Sequence, residues 1–180
     1  MNNNLSLSVT TRAMHWLVGF TMLGLIMVGF YMVNLEVWAL YPIHKALGVL
    51  ALLLILPRAI YRVKRGFPKP VDGVSPSNQK LAHAAHWLLL LGTVLMPVSG
   101  MLYSGFGGYG INIFGFHLVA ENIVGDEIVP FNETIFIIAK NAHSLIGYGL
   151  SALIVVHIAA AFKHHMVDKD ATLSRMLGKT

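Results

Sequence analysis

The chemistry of this chain is concentrated in its histidines. Nine histidines stand in a 180-residue sequence that has no cysteine. The absence of cysteine excludes covalent c-type haem attachment, cysteine-held iron–sulfur clusters and disulfides, so a metal here must be held by nitrogen or oxygen. Imidazole is the common nitrogen ligand. The stretch HSLIGYGLSALIVVH sets His143 and His157 fourteen residues apart within one apolar run. At ~100° per residue fourteen steps fall ~40° short of four full turns, so both imidazoles lie on one helix face, with a rise of about 21 Å between them. That separation is too great for one ion and fits two centres.

A second spacing says what shape those centres take. His15 is followed four residues on by Gly19, His44 by Gly48, His143 by Gly147 and His157 by Ala161. Positions i and i+4 stack on one face, so each histidine has a nearly bare patch of helix one turn away. Zinc in a compact tetrahedron with ~2 Å bonds does not need such a patch. A porphyrin lying along the helix does, and a leucine there would collide with it. Glycine lowers helix propensity by ~1 kcal/mol relative to alanine, and in membrane helices it also serves close packing. Four such pairings together favour haem. By contrast His83 and His86 are followed by Trp87 and Leu90, which would block a ring, so these two are expected not to be ligands.

The elements that position these residues are membrane helices. The chain is 56% hydrophobic and 12% charged, with a mean hydropathy of +0.66, well above a soluble domain. Four stretches are long enough to cross ~30 Å of hydrocarbon: residues 13–33, 43–61, 81–103 and 134–162. The sequence therefore predicts an all-α integral membrane protein, a four-helix bundle forming a single domain over residues 1–180. The first span is expected to be retained rather than cleaved, because its apolar part is too long for a signal peptide and no small-residue site follows it.

Arg12, the basic cluster Arg58 to Lys80 and the tail lysines flank one side, whereas residues 34–42 and 104–133 contain no Lys or Arg. Loops rich in Lys and Arg stay cytoplasmic, so both termini are predicted inside. The same asymmetry accounts for the net charge of +5 without any nucleic-acid surface. The segment from Gly66 to Gln79 reads as an inner loop. GFGGYG, from Gly105 to Gly110, fits a dinucleotide fingerprint in form only, because it follows a membrane helix rather than a strand.

Orientation supplies depth. His15 is level with His157 at the inner end, and His44 is level with His143 at the outer end, so the pairs are His15 with His157 and His44 with His143. His164 lies seven residues past His157, ~20° short of two turns and about 10 Å further in. It is a candidate for the rim of an inner substrate pocket, where His83 and His86 also fall. His165 is expected at the interface, and His117 has no assigned role. Lys45 beside His44 and Lys140 one turn before His143 are candidate contacts for haem propionates, or ordinary snorkelling lysines.

The early HW at His15 and Trp16, IHKALG at the start of the second span, HxxH at His83 and His86, the fourteen-residue pair and the tail HHMVDKDATLSRM together resemble the bacterial cytochrome b561 family, the four-helix dihaem membrane cytochromes. The resemblance covers nearly the whole chain. It implies two haems b in the bacterial inner membrane, the inner one held by His15 and His157 and the outer one by His44 and His143. It further implies electron exchange with ubiquinone near the inner face and, in some members, oxidation of superoxide at the outer face. A periplasmic redox partner is a further candidate, because the spans leave no soluble catalytic module. Leu150, midway between the two ligands of the last span, is then expected between the rings. A metal-ion carrier using the same histidines is the rival; it predicts carboxylates within the spans, and none is there.

Overall fold

A computed structural model describes residues 6–71 and 74–179. Helices α1 (Val9–Asn34), α2 (Leu40–Arg65), α3 (Pro76–Phe106) and α4 (Glu133–Met166) are each long and apolar enough to cross a membrane, and a short α5 (Thr172–Leu177) closes the chain. All four are longer than the apolar stretches alone. Three of the four start on polar caps: Ser8 accepts from the Thr11 amide, Ser75 from Asn78 ahead of Pro76, and Asn132 from Ile135, which satisfies amides that a helix start leaves free. At 34 residues α4 runs about 50 Å, so it stands proud of the hydrocarbon on at least one side.

The helices alternate in direction. The first residues of α1, the last of α2, the first of α3 and the last of α4 share one end with α5, here the terminal end; the opposite end carries the connection from α3 to α4. Val18, Met22 and Ile26 of α1, Ala51 and Ile55 of α2, and Leu150 of α4 form the buried core. Leu150 also presses on α3, where a Cβ at Gly92 would lie 3.0 Å from its Cδ1. Outward, Phe20, Leu53, Leu145 and Val155 are each more than 60% exposed. A bundle this apolar outside is a multi-pass membrane protein, whose solvent is lipid. Packing is closest between α3 and α4, then α1 with α2 and α2 with α3. The backbone of α4 barely approaches α1 or α2.

The connection read as a plain outer loop holds two antiparallel hairpins. One pairs β1 (Tyr109–Ile113) with β2 (Phe116–Glu121), the other β3 (Ile123–Val124) with β4 (Glu127–Ile128). The all-α expectation is thus right for the spanning part and incomplete for the rest. The glycines of GFGGYG turn the chain from α3 into β1. Gly108 (φ +79°) and Gly110 (φ +61°) occupy left-handed backbone, and a Cβ on Gly108 would meet the Val129 carbonyl, which explains the motif without a nucleotide.

Candidate functional site

Each predicted pair meets across the bundle. The rings of His15 on α1 and His157 on α4 have centroids 6.1 Å apart, and those of His44 on α2 and His143 on α4 are 6.5 Å apart. Two imidazoles sharing one metal at ~2.0 Å through a nitrogen each would have centroids roughly 6 to 6.5 Å apart. Both pairs fall on or close to that separation. Both also span the helix pairs whose backbones stay apart.

The hairpin-end pair is held by backbone. His143 Nδ1 is 3.0 Å from the Met96 carbonyl and 3.1 Å from Ser99 Oγ, contacts that orient the ring and leave Nε2 for another partner. A Cβ on Gly100 of α3 would come within 2.9 Å of the His143 ring, and one on Gly29 of α1 within 3.3 Å of the His44 ring. The i+4 spacing gave no hint of these two glycines, because they sit on the helices facing the ligands. Nδ1 of His44 is buried without a hydrogen-bond partner among the described residues. Such an orphaned nitrogen costs free energy that a metal bond would remove.

At the terminal end a third imidazole joins the pair. His86 of α3 lies 5.8 Å from His157 and stacks on Phe67 at 5.3 Å. His83 accepts a 3.0 Å hydrogen bond from Trp87 Nε1 and abuts Phe67 edge-on. Phe67 belongs to the Pro- and Gly-rich connection, and nothing in its spacing marked it. His164 is separately engaged, its Nδ1 2.6 Å from Asp170 and 3.2 Å from Asp168. These three could together offer ligand atoms to a cation, but Lys163 already sits 2.7 Å from Asp168.

The clearance residues divide. A Cβ on Gly19 or Gly48 would meet nothing within 4 Å, as expected beside a space for a flat ring. Ala161 is half-buried one turn beyond His157. Gly147 is different, since the Met96 methyl lies 3.3 Å from its Cβ position; a flexible thioether, not open space, occupies that patch. The two lysines have protein partners. Lys45 donates to the Tyr109 and Gly110 carbonyls at 2.9 and 3.0 Å and so clamps β1 to α2. Lys140 lies 5.9 Å over the Phe136 ring, a cation–π contact.

Residues 6–179 match the prokaryotic cytochrome b561 family. The chain belongs to that family. It is 31% identical over 177 residues to cytochrome b561 homolog 2 of Escherichia coli, covering 96% of this chain and 91% of that protein. It is also 27% identical over 172 residues to the probable superoxide oxidase CybB of Yersinia pestis, with 92% of each covered, and 28% identical over 137 residues to E. coli cytochrome b561 homolog 1, with 74% and 72% covered. Membership makes this cytochrome a membrane electron-transfer protein that carries haem b. The donor set fits the group: imidazoles paired across apolar helices, one with an orphaned nitrogen, and bare helix beside two of them.

Proposed function

We propose that this cytochrome moves electrons across the bacterial inner membrane through two bis-histidine haems b, with His15 and His157 as axial ligands at the terminal end and His44 and His143 at the hairpin end. The observation that carries the reading is the pair of cross-helix imidazole contacts, 6.1 and 6.5 Å, stationed at the two ends of α4 with buried Leu150 between them. His86 is slightly nearer His157, at 5.8 Å, but that contact crosses the tight α3–α4 seam, whereas His15 reaches it across the loose α1–α4 gap. We read the ring into the looser gap. Haem b supplies a reversible one-electron couple at its iron. The chain supplies the rest: Met96 and Ser99 hold the His143 ring, and the apolar core keeps water from the path.

The basic flanks favour a cytoplasmic terminal end, where His86, His83 and Phe67 offer ring-stacking surface and ring nitrogens to ubiquinone, with His164 nearby on Asp170. A second reading, superoxide oxidation at the hairpin end, is favoured by the likeness to the probable superoxide oxidase. Against it, residues 104–133 hold Glu121, Asp126, Glu127 and Glu133 with no Lys or Arg, a field that repels an anion, and Lys45 is spent on loop carbonyls.

Purified protein should contain two haems b per chain by pyridine haemochrome assay, and both should be reoxidised by a ubiquinone analogue. One haem per chain would sink the dihaem assignment. Haem reduction by superoxide near the diffusion limit, slowed by salt, would transfer the conclusion to the second reading.

A further inference from the structure

The β1–β2 hairpin carries apolar side chains on both faces, with His117 and Glu121 the polar residues of β2. An antiparallel ribbon with one side in water alternates apolar-in and polar-out. Here Ile111 and Val119 pair on the face toward the helices, with Ile111 buried. On β2 the alternate positions are Phe116, 67% exposed, Leu118, 44% exposed, and Ala120. Residues 109–120 include no Asp, Glu, Lys or Arg.

The turn points the same way. It is a two-residue loop with positive φ at Phe114 (+49°) and Gly115 (+101°), and at the first of these positions Asn, Asp or Gly would sit without strain. The chain instead has a phenylalanine, 69% exposed. The polar groups of the tip turn on one another: Asn112 Oδ1 accepts from the Gly115 amide at 2.7 Å, and its Nδ2 lies 3.2 Å from His117 Nε2. Side-chain carbon is what remains outside.

Depth identifies the surroundings. Trp38, 68% exposed, stacks on Tyr41 at 5.4 Å, an arrangement typical of the membrane–water boundary. The hairpin does not rest above that level. It lies against Pro42, Ile43 and Ala46 around a cavity of about 550 Å³, and Lys45 holds its first strand. Lys45 is four residues beyond Tyr41, about 6 Å deeper along α2, within the ~5 to 10 Å to which interfacial elements sink.

We propose that the β1–β2 hairpin is an interfacial anchor, its Phe114, Phe116 and Leu118 face seated in the lipid leaflet at the hairpin end and continuous with the lipid-facing sides of the helices. Because that face carries no charge, it binds by apolar partition and does not depend on anionic lipid. The anchor stands independently of the electron-transfer reading.

The native chain has no cysteine, so single nitroxide labels report cleanly. Full-length Phe116→Cys and Leu118→Cys, each labelled and reconstituted in phosphatidylcholine vesicles, should show collision with oxygen favoured several-fold over a water-soluble nickel chelate, relative to a label at Asp126→Cys on the β3–β4 turn. Adding anionic lipid should leave that ratio unchanged. Labels at 116 and 118 as open to the chelate as the one at 126 would put this face in water and overturn the anchor. Protection from both reagents would mean a protein cover, either a partner or a second copy, and would overturn it equally.

Discussion

The two ends of the bundle hold their imidazoles by different means. At the hairpin end the supports are mostly backbone: the Met96 carbonyl, with the Ser99 hydroxyl beside it, fixes His143, and the bare backbone at Gly100 and Gly29 lets both rings press close. At the terminal end the supports are other rings. His15 meets Trp16 at 5.4 Å, His157 meets His86, and His86 rests on Phe67; neither His15 nor His157 has a ring-nitrogen hydrogen bond among the described residues. Backbone supports have one geometry, whereas stacked rings slide at little cost. The hairpin-end pair is therefore held more rigidly than the terminal-end pair, a contrast that the proposed function needs if one haem is fixed and the other sits beside a quinone.

The largest effects come from the ligands. His143→Ala or His44→Ala should remove one haem of two, and His15→Ala or His157→Ala the other, counted by pyridine haemochrome with spectra to show which remains. Full haem content in any of the four breaks the pairing. His86→Ala should keep both haems while shifting the spectrum of the terminal-end one. Loss of that haem would make His86 a ligand and reduce the seam argument to nothing.

Next are the glycines, where the two ends separate. Gly100→Leu pushes into the His143 ring from a position where even a Cβ would be 2.9 Å away, and overpacking of this kind costs ~1 to 3 kcal/mol. It should weaken the hairpin-end haem and spare the other. Gly19→Leu fills open space and should do the reverse. If both variants load haem normally, the glycines serve helix packing alone.

The histidine pairs were legible in the sequence because depth and facing are one-dimensional properties of a membrane helix: the basic flanks give direction, and 3.6 residues per turn give the face. The supports were not. Gly29, Gly100, Met96 and Ser99 lie on neighbouring helices, and which helix faces which depends on rotation about each axis, a property no single stretch records. Gly147 shows the same limit from the other side, since its clearance was read from α4 alone while Met96 of α3 fills it. The hairpins were missed for another reason. FGF between Ile113 and His117 carries phenylalanine where a turn normally shows Asn or Asp, so the strongest local signal was absent.

A finer cut is Ser99→Ala. It removes one of two contacts to His143 Nδ1 and leaves the Met96 carbonyl. A net hydrogen bond of ~0.5 to 1.5 kcal/mol corresponds to about 20 to 65 mV for a one-electron couple, and only the part that differs between oxidation states moves the potential. A shift of on the order of 20 mV in the hairpin-end haem is expected by redox titration, with the other haem unmoved. Equal shifts in both would remove the contrast between the ends.

The smallest effect concerns how the tail finishes the terminal end. Asp170 takes the Thr172 amide at 2.8 Å and His164 Nδ1 at 2.6 Å, while Trp16 Nε1 donates to the Met176 carbonyl and Arg175 to that of Lys69. Burial alone would raise the Asp170 carboxyl, but the hydrogen bonds from Thr172 and His164 outweigh it and hold the group below its ordinary 3.8. A carboxyl depressed in the folded state favours the docked tail above its unfolded pKa, and that contribution disappears as pH falls through the folded value. Exchange of the α5 amides should therefore be about two- to fivefold faster in Asp170→Asn than in the native protein at pH 7, as for a pair contributing under ~1 kcal/mol. The two should converge as pH falls below 3.8. A difference that persists undiminished in acid would mean that the side-chain geometry, rather than the charge, secures the tail.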